Sequence, residues 1–516
     1  MSTGLVDARR LLVLAAAGAL ALPSAAVAQG GLRLGDAVSA ALAGNPGIRI
    51  ARLDMEGARA DVLRARGAFD TRLSTRTTNE QRATSSLDET GAVGPEALSS
   101  RTSSFSANLS RELPGGMVLQ PALSVTRVDD PRAMPLPYAQ AGASLAIVAP
   151  LGPNRGGGLT RSAVREAELG RDATAQQIRQ TAATSVRDVV GAYWEYRAAY
   201  RRAEVLASAE ARAGRLLDET RTLVAAEERP AADLIQLQAN LASKRIQRLN
   251  AEQQLEAVRH RLGLLMGLDA GAASRLAPPA DSFPPPVPFR AGAAAERLVE
   301  TAAARRGELA ASVLRADAAR LRHSAARAGA RPTVDLTVEL GYSGLTTSPG
   351  LGGTLSPLYS NVPGLNLSLQ LSYQAALTNS AARGNTVRAA AAVSQQRLAL
   401  EGLRQQVASG VLLAAGVLER SLTLLAHAEE AVRLFGRAVE NEKAKHALGT
   451  ATLIDVILAE DSRTSALLGE VDAKLGHANA LSRLRWETGT LLEGEGAELR
   501  FIPDAATTPP AAQDQP

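Results

Sequence analysis

Asp36 to Leu73 reads DAVSAALAGNPGIRIARLDMEGARADVLRARGAFDTRL, and Glu296 to Val334 reads ERLVETAAARRGELAASVLRADAARLRHSAARAGARPTV. In both stretches a helical spacing of small and apolar residues gives way to alternating polar and apolar positions. Each half then ends in a very long helical pattern. A helix-strand-helix unit written twice is an architectural statement. Each copy must bury its apolar stripe against the other or a neighbour, as repeated parts of a quasi-symmetric wall do.

Working outward in the first half, the pattern predicts a helix from about Asp36, a break at Asn45-Pro46-Gly47 and a second helix from Ile48 to Arg66. The period then falls from about 3.6 to 2. Four strands are expected, over Phe69 to Thr77, Ser103 to Leu113, Val118 to Val128 and Ala141 to Ala149. Pro114-Gly115-Gly116 reads as a tight hairpin turn, and the polar segment Ala83 to Ser100 reads as a surface loop. In the second half, strands are expected over Thr333 to Tyr342 and Leu365 to Tyr373. Val334, Leu336, Val338 and Leu340 share one face there, and Thr333, Asp335, Thr337 and Glu339 the other. Such alternation fits a half-buried soluble sheet or a membrane barrel with lipid on one side and water on the other. Two strands per half leave exposed edges, so several chains would have to combine to close a barrel. The surplus hairpin of the first half, about Ser103 to Val128, fits either a longer extracellular loop or a barrel edge.

No proline lies between Asn154 and Arg229 or between Gly364 and Ile502, so helices of about 60 residues, each on the order of 90 Å, are allowed. In the second half Leu400, Leu403, Val407, Val411, Ala414, Leu418, Ser421, Leu425, Ala428, Val432, Phe435 and Val439 step by threes and fours. The first half does the same through Ile178, Ala182, Ser185, Val189, Tyr193, Tyr196, Tyr200, Ala203 and Ala207. That spacing predicts left-handed supercoiling against neighbours. Turns are expected at Glu228-Arg229-Pro230 and Leu448-Gly449-Thr450, with returning helices over Ala232 to Met266 and Thr452 to Leu491.

The N-terminus reads as a secretory signal over residues 1–28, with Arg9-Arg10, the short apolar run Leu11 to Leu22 and an A-x-A pattern at Ala26-Val27-Ala28. The run is too short for a bilayer span, which needs roughly 20 apolar residues. The chain has no cysteine, so disulfides and a lipid-modified cysteine are excluded. Aromatics make up 3% of the residues, too few for a large globular core but suited to long helices packed through small residues. The formal charge is +5; Arg9 and Arg10 against Asp7 supply +1 of it, leaving +4 on the mature chain. Basic and acidic residues are interspersed, which makes nucleic acid a poor partner. Residues 29–277 form the first repeat and 291–502 the second. A stiff Pro-rich linker, 278–290, joins them, and 503–516 is expected to be a disordered tail.

Enzyme chemistry has no foothold. His260, His323, His427, His446 and His477 are scattered without metal-ligand spacing and read as solvated positions. There is no nucleophile elbow and no phosphate loop. Gly156-Gly157-Gly158 and Gly350-Leu351-Gly352-Gly353 lack the strand-helix context such loops need. No cofactor and no metal is expected.

Over nearly the whole mature sequence the chain resembles the TolC-type outer-membrane efflux protein family. The marks are DAVSAAL and NPGI within Asp36 to Ile48, ARADVLRARGAF before the first strand, GTATLIDVILAE at Gly449 to Glu460 and its counterpart RPAADLIQLQANL at Arg229 to Leu241. The resemblance implies a mainly α fold with a membrane β-barrel. Three chains would form an α-barrel tunnel in the periplasm and a shared twelve-stranded barrel in the outer membrane, four strands from each. Such a homotrimer is a passive duct that meets a periplasmic adaptor and an inner-membrane pump, in tripartite efflux or type I secretion. By the same resemblance Asp455 matches an inward-facing acidic ring at the periplasmic aperture. A second family acid falls on Leu458, with Glu460 and Asp461 as candidates to compensate. Gly449 and Thr450, with Arg229 and Pro230 opposite, match the turns near which adaptors dock. The rival readings are a periplasmic adaptor, which normally has one helical hairpin rather than two, and a coiled-coil scaffold without a pore.

Overall fold

The computed structural model describes residues 31–87, 93–130, 136–348, 350–360, 363–494 and 499–510. The expected signal segment lies outside the described residues. Helix α1 (Leu34–Gly44) stops at Asn45, whose side chain accepts from the N–H groups of Gly47 and Ile48 and so caps α2 (Pro46–Arg66). A proline at the first position of α2 costs no helical bond there. Strands β1 (Arg72–Leu87), β2 (Val93–Glu112), β3 (Val118–Asp129) and β4 (Tyr138–Pro150) follow. The hairpin α3 (Gly158–Ala225) and α4 (Ala232–Leu265) comes next, then the short α5 (Ala270–Ser274). The second half runs α6 (Ala291–Arg305), α7 (Gly307–Gly329), β5 (Thr333–Thr346), α8 (Gly350–Leu355), β6 (Asn366–Gln374) and the hairpin α9 (Ser380–Ala447) and α10 (Leu453–Glu487). A two-stranded ribbon, β7 (Leu492–Glu493) and β8 (Arg500–Phe501), closes the described fold. Helices α3 and α9 each have 68 residues, about 100 Å at 1.5 Å per residue.

All six long strands form one antiparallel meander in the order β1-β2-β3-β4-β5-β6. The sheet therefore holds two strands more than the four per chain that the resemblance implies. It corrects the loop expected over Ala83 to Ser100: β1 and β2 pair backbone to backbone through it, Ala83 opposite Ser99 and Leu87 opposite Val93. The segment carries no alternating apolar period, so the pairing leaves no mark in the sequence. The turn at Pro114-Gly115-Gly116 forms as expected, with Leu113 N–H donating to Met117 O at 2.8 Å.

The apolar ladder of α9 is inside: Val407, Val411, Ala414, Leu418, Ser421, Leu425 and Val439 are buried. Phe435 is the exception and is exposed. In α3, Ala182, Val189, Tyr193 and Tyr196 are buried, but beyond Ala199 the seam shifts from Ala203 and Ala207 onto Leu206, Ala213, Leu217 and Thr220. Among the described residues α9 is also the one helix apolar enough by composition to cross a bilayer, with a mean hydropathy of 1.4 over 18 residues. Its surplus lies on a second stripe, Leu412, Leu413, Leu424 and Leu434, which this chain leaves exposed.

A collar around mid-length holds the halves together. Leu32 pairs with the linker, donating to Pro278 O at 2.9 Å and accepting from Ala280 N–H at 2.8 Å. The Tyr193 hydroxyl lies 2.8 Å from Asp281 Oδ2, which also accepts from Leu34 N–H at 2.6 Å. Burial, then the Asp281 carboxylate, pushes that hydroxyl well above the tyrosine range, so it stays a donor. Phe283 of the linker stacks on Trp194 at 5.7 Å. On the other side Arg306 donates to Glu487 Oε2 at 2.7 Å, both residues being buried, and its guanidinium sits 4.4 Å from the centre of the Trp486 ring. The tail expected to be disordered is packed as far as 510. Ala506 is fully buried, and the Arg485 guanidinium donates to Thr508 O at 3.0 Å. Burial brings Arg485 down to about 10, still charged at neutral pH. His477, expected at a solvated position, is buried instead. It is 1% exposed, with Nδ1 3.0 Å from Ser421 Oγ, and burial lowers its pKa.

Candidate functional site at the hairpin turns

The residues singled out by resemblance gather where the two hairpins turn. Helix α9 ends in a Schellman arrangement. Gly449, at φ 74°, donates to His446 O at 3.0 Å, and Thr450 N–H to Lys445 O at 2.9 Å. A left-handed residue is needed at this point, and glycine meets it without steric cost. Helix α10 then starts with a capping box: Asp455 N–H donates to Thr452 Oγ1 at 3.3 Å, while Thr452 N–H and Oγ1–H donate to Asp455 Oδ2 at 2.8 and 2.7 Å. These bonds, and after them the charge of Lys445, hold the exposed Asp455 carboxyl below its ordinary range. Asp455 therefore caps its own helix.

The first hairpin turns differently. Glu227 takes the left-handed position at φ 63°, donating to Val224 O, and Glu228 N–H donates to Leu223 O at 2.9 Å. Ala231 then precedes α4 with no side-chain cap. The turn is tied instead to its counterpart. Arg229 Nη2 donates to His446 Nε2 at 3.0 Å, and His446 Nδ1 donates to Ala451 O at 3.0 Å. A carbonyl only accepts and a guanidinium only donates, so these two partners fix His446 as the neutral Nδ1–H tautomer. Arg229 also faces Asp233 at 3.8 Å. Pro230, Gly449 and Thr450 are exposed.

Glu460 and Asp461 face other helices rather than sharing the position of Asp455. Glu460 Oε2 accepts from Arg212 Nε at 2.9 Å and Oε1 pairs with Lys443 at 2.8 Å, joining α3, α9 and α10. Burial works against its ionisation, but Lys443 and Arg212 outweigh it and keep the carboxyl below its ordinary range. Asp461 pairs at 2.6 Å with Lys244 of α4, a lysine itself buried. These charges line a cavity of about 350 Å³ between the hairpins. Arg212, Lys244, Lys443 and His446 carry no sequence motif. Arg212 and Glu460 stand 248 residues apart, so only the fold brings them together. Among the described residues, no group of three or more histidines or acids is placed to hold a metal ion.

No protein-family model and no curated protein matches the sequence. The structure does match solved ones over nearly its full length. Against the Campylobacter jejuni CmeC outer membrane channel the TM-score is 0.68 at 15% identity, covering 90% of this chain and 86% of that one. Against the outer-membrane channel OprN the values are 0.66, 16%, 89% and 90%. The outer membrane protein VceC of Vibrio cholerae gives 0.65, 16%, 90% and 97%. Two long helical hairpins, collared around their middle, and a six-stranded antiparallel sheet therefore compose the fold shared with these TolC-type outer-membrane channels.

Proposed function

We propose that the chain is a passive outer-membrane duct for efflux or type I secretion, working as a homotrimer whose hairpins extend into the periplasm. One observation carries this reading: the sheet is apolar on one face, polar on the other, and ends in two open edges. Leu367, Leu369, Leu371 and Tyr373 of β6 are each at least 65% exposed, and Leu367 stands opposite Leu340 on the same face. A soluble protein would cover such a face, whereas lipid covers it at no cost. The exposed leucine stripe of α9 gives a second copy a surface to pack on. Fold likeness to outer-membrane channels points the same way. Energy would come from an inner-membrane pump reached through an adaptor, with Gly449, Thr450, Arg229 and Pro230 at the contact.

Three copies of Asp455 around a threefold axis would form an acidic aperture favouring cations, with Glu460 and Asp461 bracing the helices behind it. The test is extraction followed by planar-bilayer recording. A detergent-dependent, heat-sensitive trimer with steady conductance is expected, and Asp455→Ala should raise that conductance or weaken block by multivalent cations. A protomer released in buffer without detergent would overturn the duct, and an unchanged Asp455→Ala channel would remove the ring.

A further inference from the structure

Six strands per chain raise the question of where the surplus hairpin stands, and the registers answer it. Leu73 of β1 pairs with Leu109 of β2, Thr77 with Phe105, and Phe105 with Val125 of β3. Leu123 pairs with Ala143 of β4, Leu145 with Leu340 of β5, and Leu340 with Leu367 of β6. Side chains directly opposite in a ladder share a face, so one apolar band crosses all six strands. The opposite face carries Ser124, Gly142, Ser144, Gly341, Ser343 and Ser368. From β6 to β1 the band climbs along the strands, as a tilted wall requires.

The hairpin is also built into the foot of the wall. A methyl group on Gly116, at φ 83°, would lie 2.6 Å from Asn154 O, so the β2–β3 turn is seated against the junction of β4 and α3. Thr160 Oγ1 of α3 donates to Glu112 Oε1 of β2 at 2.6 Å. An external loop has no need of such seating.

We propose that β2 and β3 are an insertion within the membrane wall itself, so that three copies of this six-stranded sheet close an eighteen-stranded exit pore lined mainly by hydroxyl, amide and small side chains. The proposal rests on the trimeric duct of the preceding section. Barrel diameter grows roughly in proportion to strand number, so this pore would be about half as wide again as one of twelve strands. It suits bulky hydrophilic cargo.

The chain has no cysteine, which makes single nitroxide labels clean. Labels are placed at residues 72–78 of β1 and 366–373 of β6 in protein reconstituted into phosphatidylcholine vesicles, and collision with oxygen is compared with collision with a water-soluble nickel chelate. Positions Leu73, Thr75 and Thr77 should favour oxygen and Ser74, Arg76 and Thr78 the chelate, matching the alternation at Leu367, Leu369 and Leu371. Electron microscopy of the same trimer should count eighteen strands. Chelate access at every β1 position, or a ring of twelve strands, would overturn the proposal while leaving the duct intact. Chelate access throughout β6 as well would remove the duct with it. As an independent readout, deleting residues 88–137 joins β1 directly to β4. That change should lower the size of the largest polyethylene glycol able to enter the pore, and an unchanged cut-off in a channel that still conducts would count against the wider wall.

Discussion

The two hairpin turns do the same job with different means. After Ala447 the chain uses a glycine at the left-handed position and a threonine-aspartate capping box, so the turn is satisfied by its own residues. After Ala225 it uses a glutamate at that position and leaves the next helix uncapped; its support comes from Arg229 reaching to His446. One turn is preformed and the other depends on it. If the tips of this molecule move, the first hairpin has less local stability to lose and is expected to move first.

The sharpest way to break this asymmetry is Gly449→Ala. A side chain in the left-handed region costs about 1–2 kcal/mol, so hydrogen exchange at the amides of residues 446–452 should accelerate roughly ten-fold, while residues 224–231 change less. Thr452→Ala removes the cap of α10, at about 1 kcal/mol. Exchange at the first turn of α10 should rise about five-fold, and equal acceleration in α4 would show that the two turns are not independent. In the opposite direction, Glu227→Gly should stabilise the first turn by about 0.5 kcal/mol, the relief of the left-handed conformation being partly offset by the flexibility that glycine adds to the unfolded chain. Slower exchange at residues 226–231 is the expected result. The smallest effect is a pH dependence. Asp455 has a lowered carboxyl pKa in the folded chain, so its contribution is present above the ordinary aspartate range and is lost as pH falls through that lowered value. Acidification below about pH 4 should therefore loosen the second turn, and Thr452→Ala should show a weaker loss over the same interval.

Much of this architecture was legible because it is periodic. Asn45-Pro46 marked the boundary of α1 and α2, and the α9 ladder predicted its own burial from Val407 to Leu425. Gly449 marked its turn. What escaped had no period to read. The extension of β1 and β2 is written in serine, threonine and arginine, whose pairing is made by the backbone. Helix α3 holds its seam through Tyr196 and then slips by a residue, which a strict ladder does not foresee. His477 and the packed segment at Ala506 are buried by elements remote in sequence. At the turns the sequence located the two chain reversals but not their wiring. The capping box at Thr452 and Asp455 was within reach of a motif search, whereas the pairing of Lys244 with Asp461 needed the hairpins laid side by side.

The collar has a mechanical consequence. Tyr193, Asp281, Arg306 and Glu487 clamp both hairpins at one level, and from Val411 to Ala447 the helix beyond that clamp extends roughly 55 Å. A rigid rod of that reach magnifies rotation at its fulcrum: a tilt of about 4° would carry the far end sideways by about 4 Å. Small repacking around Trp486 is therefore magnified several-fold at the distant hairpin turns.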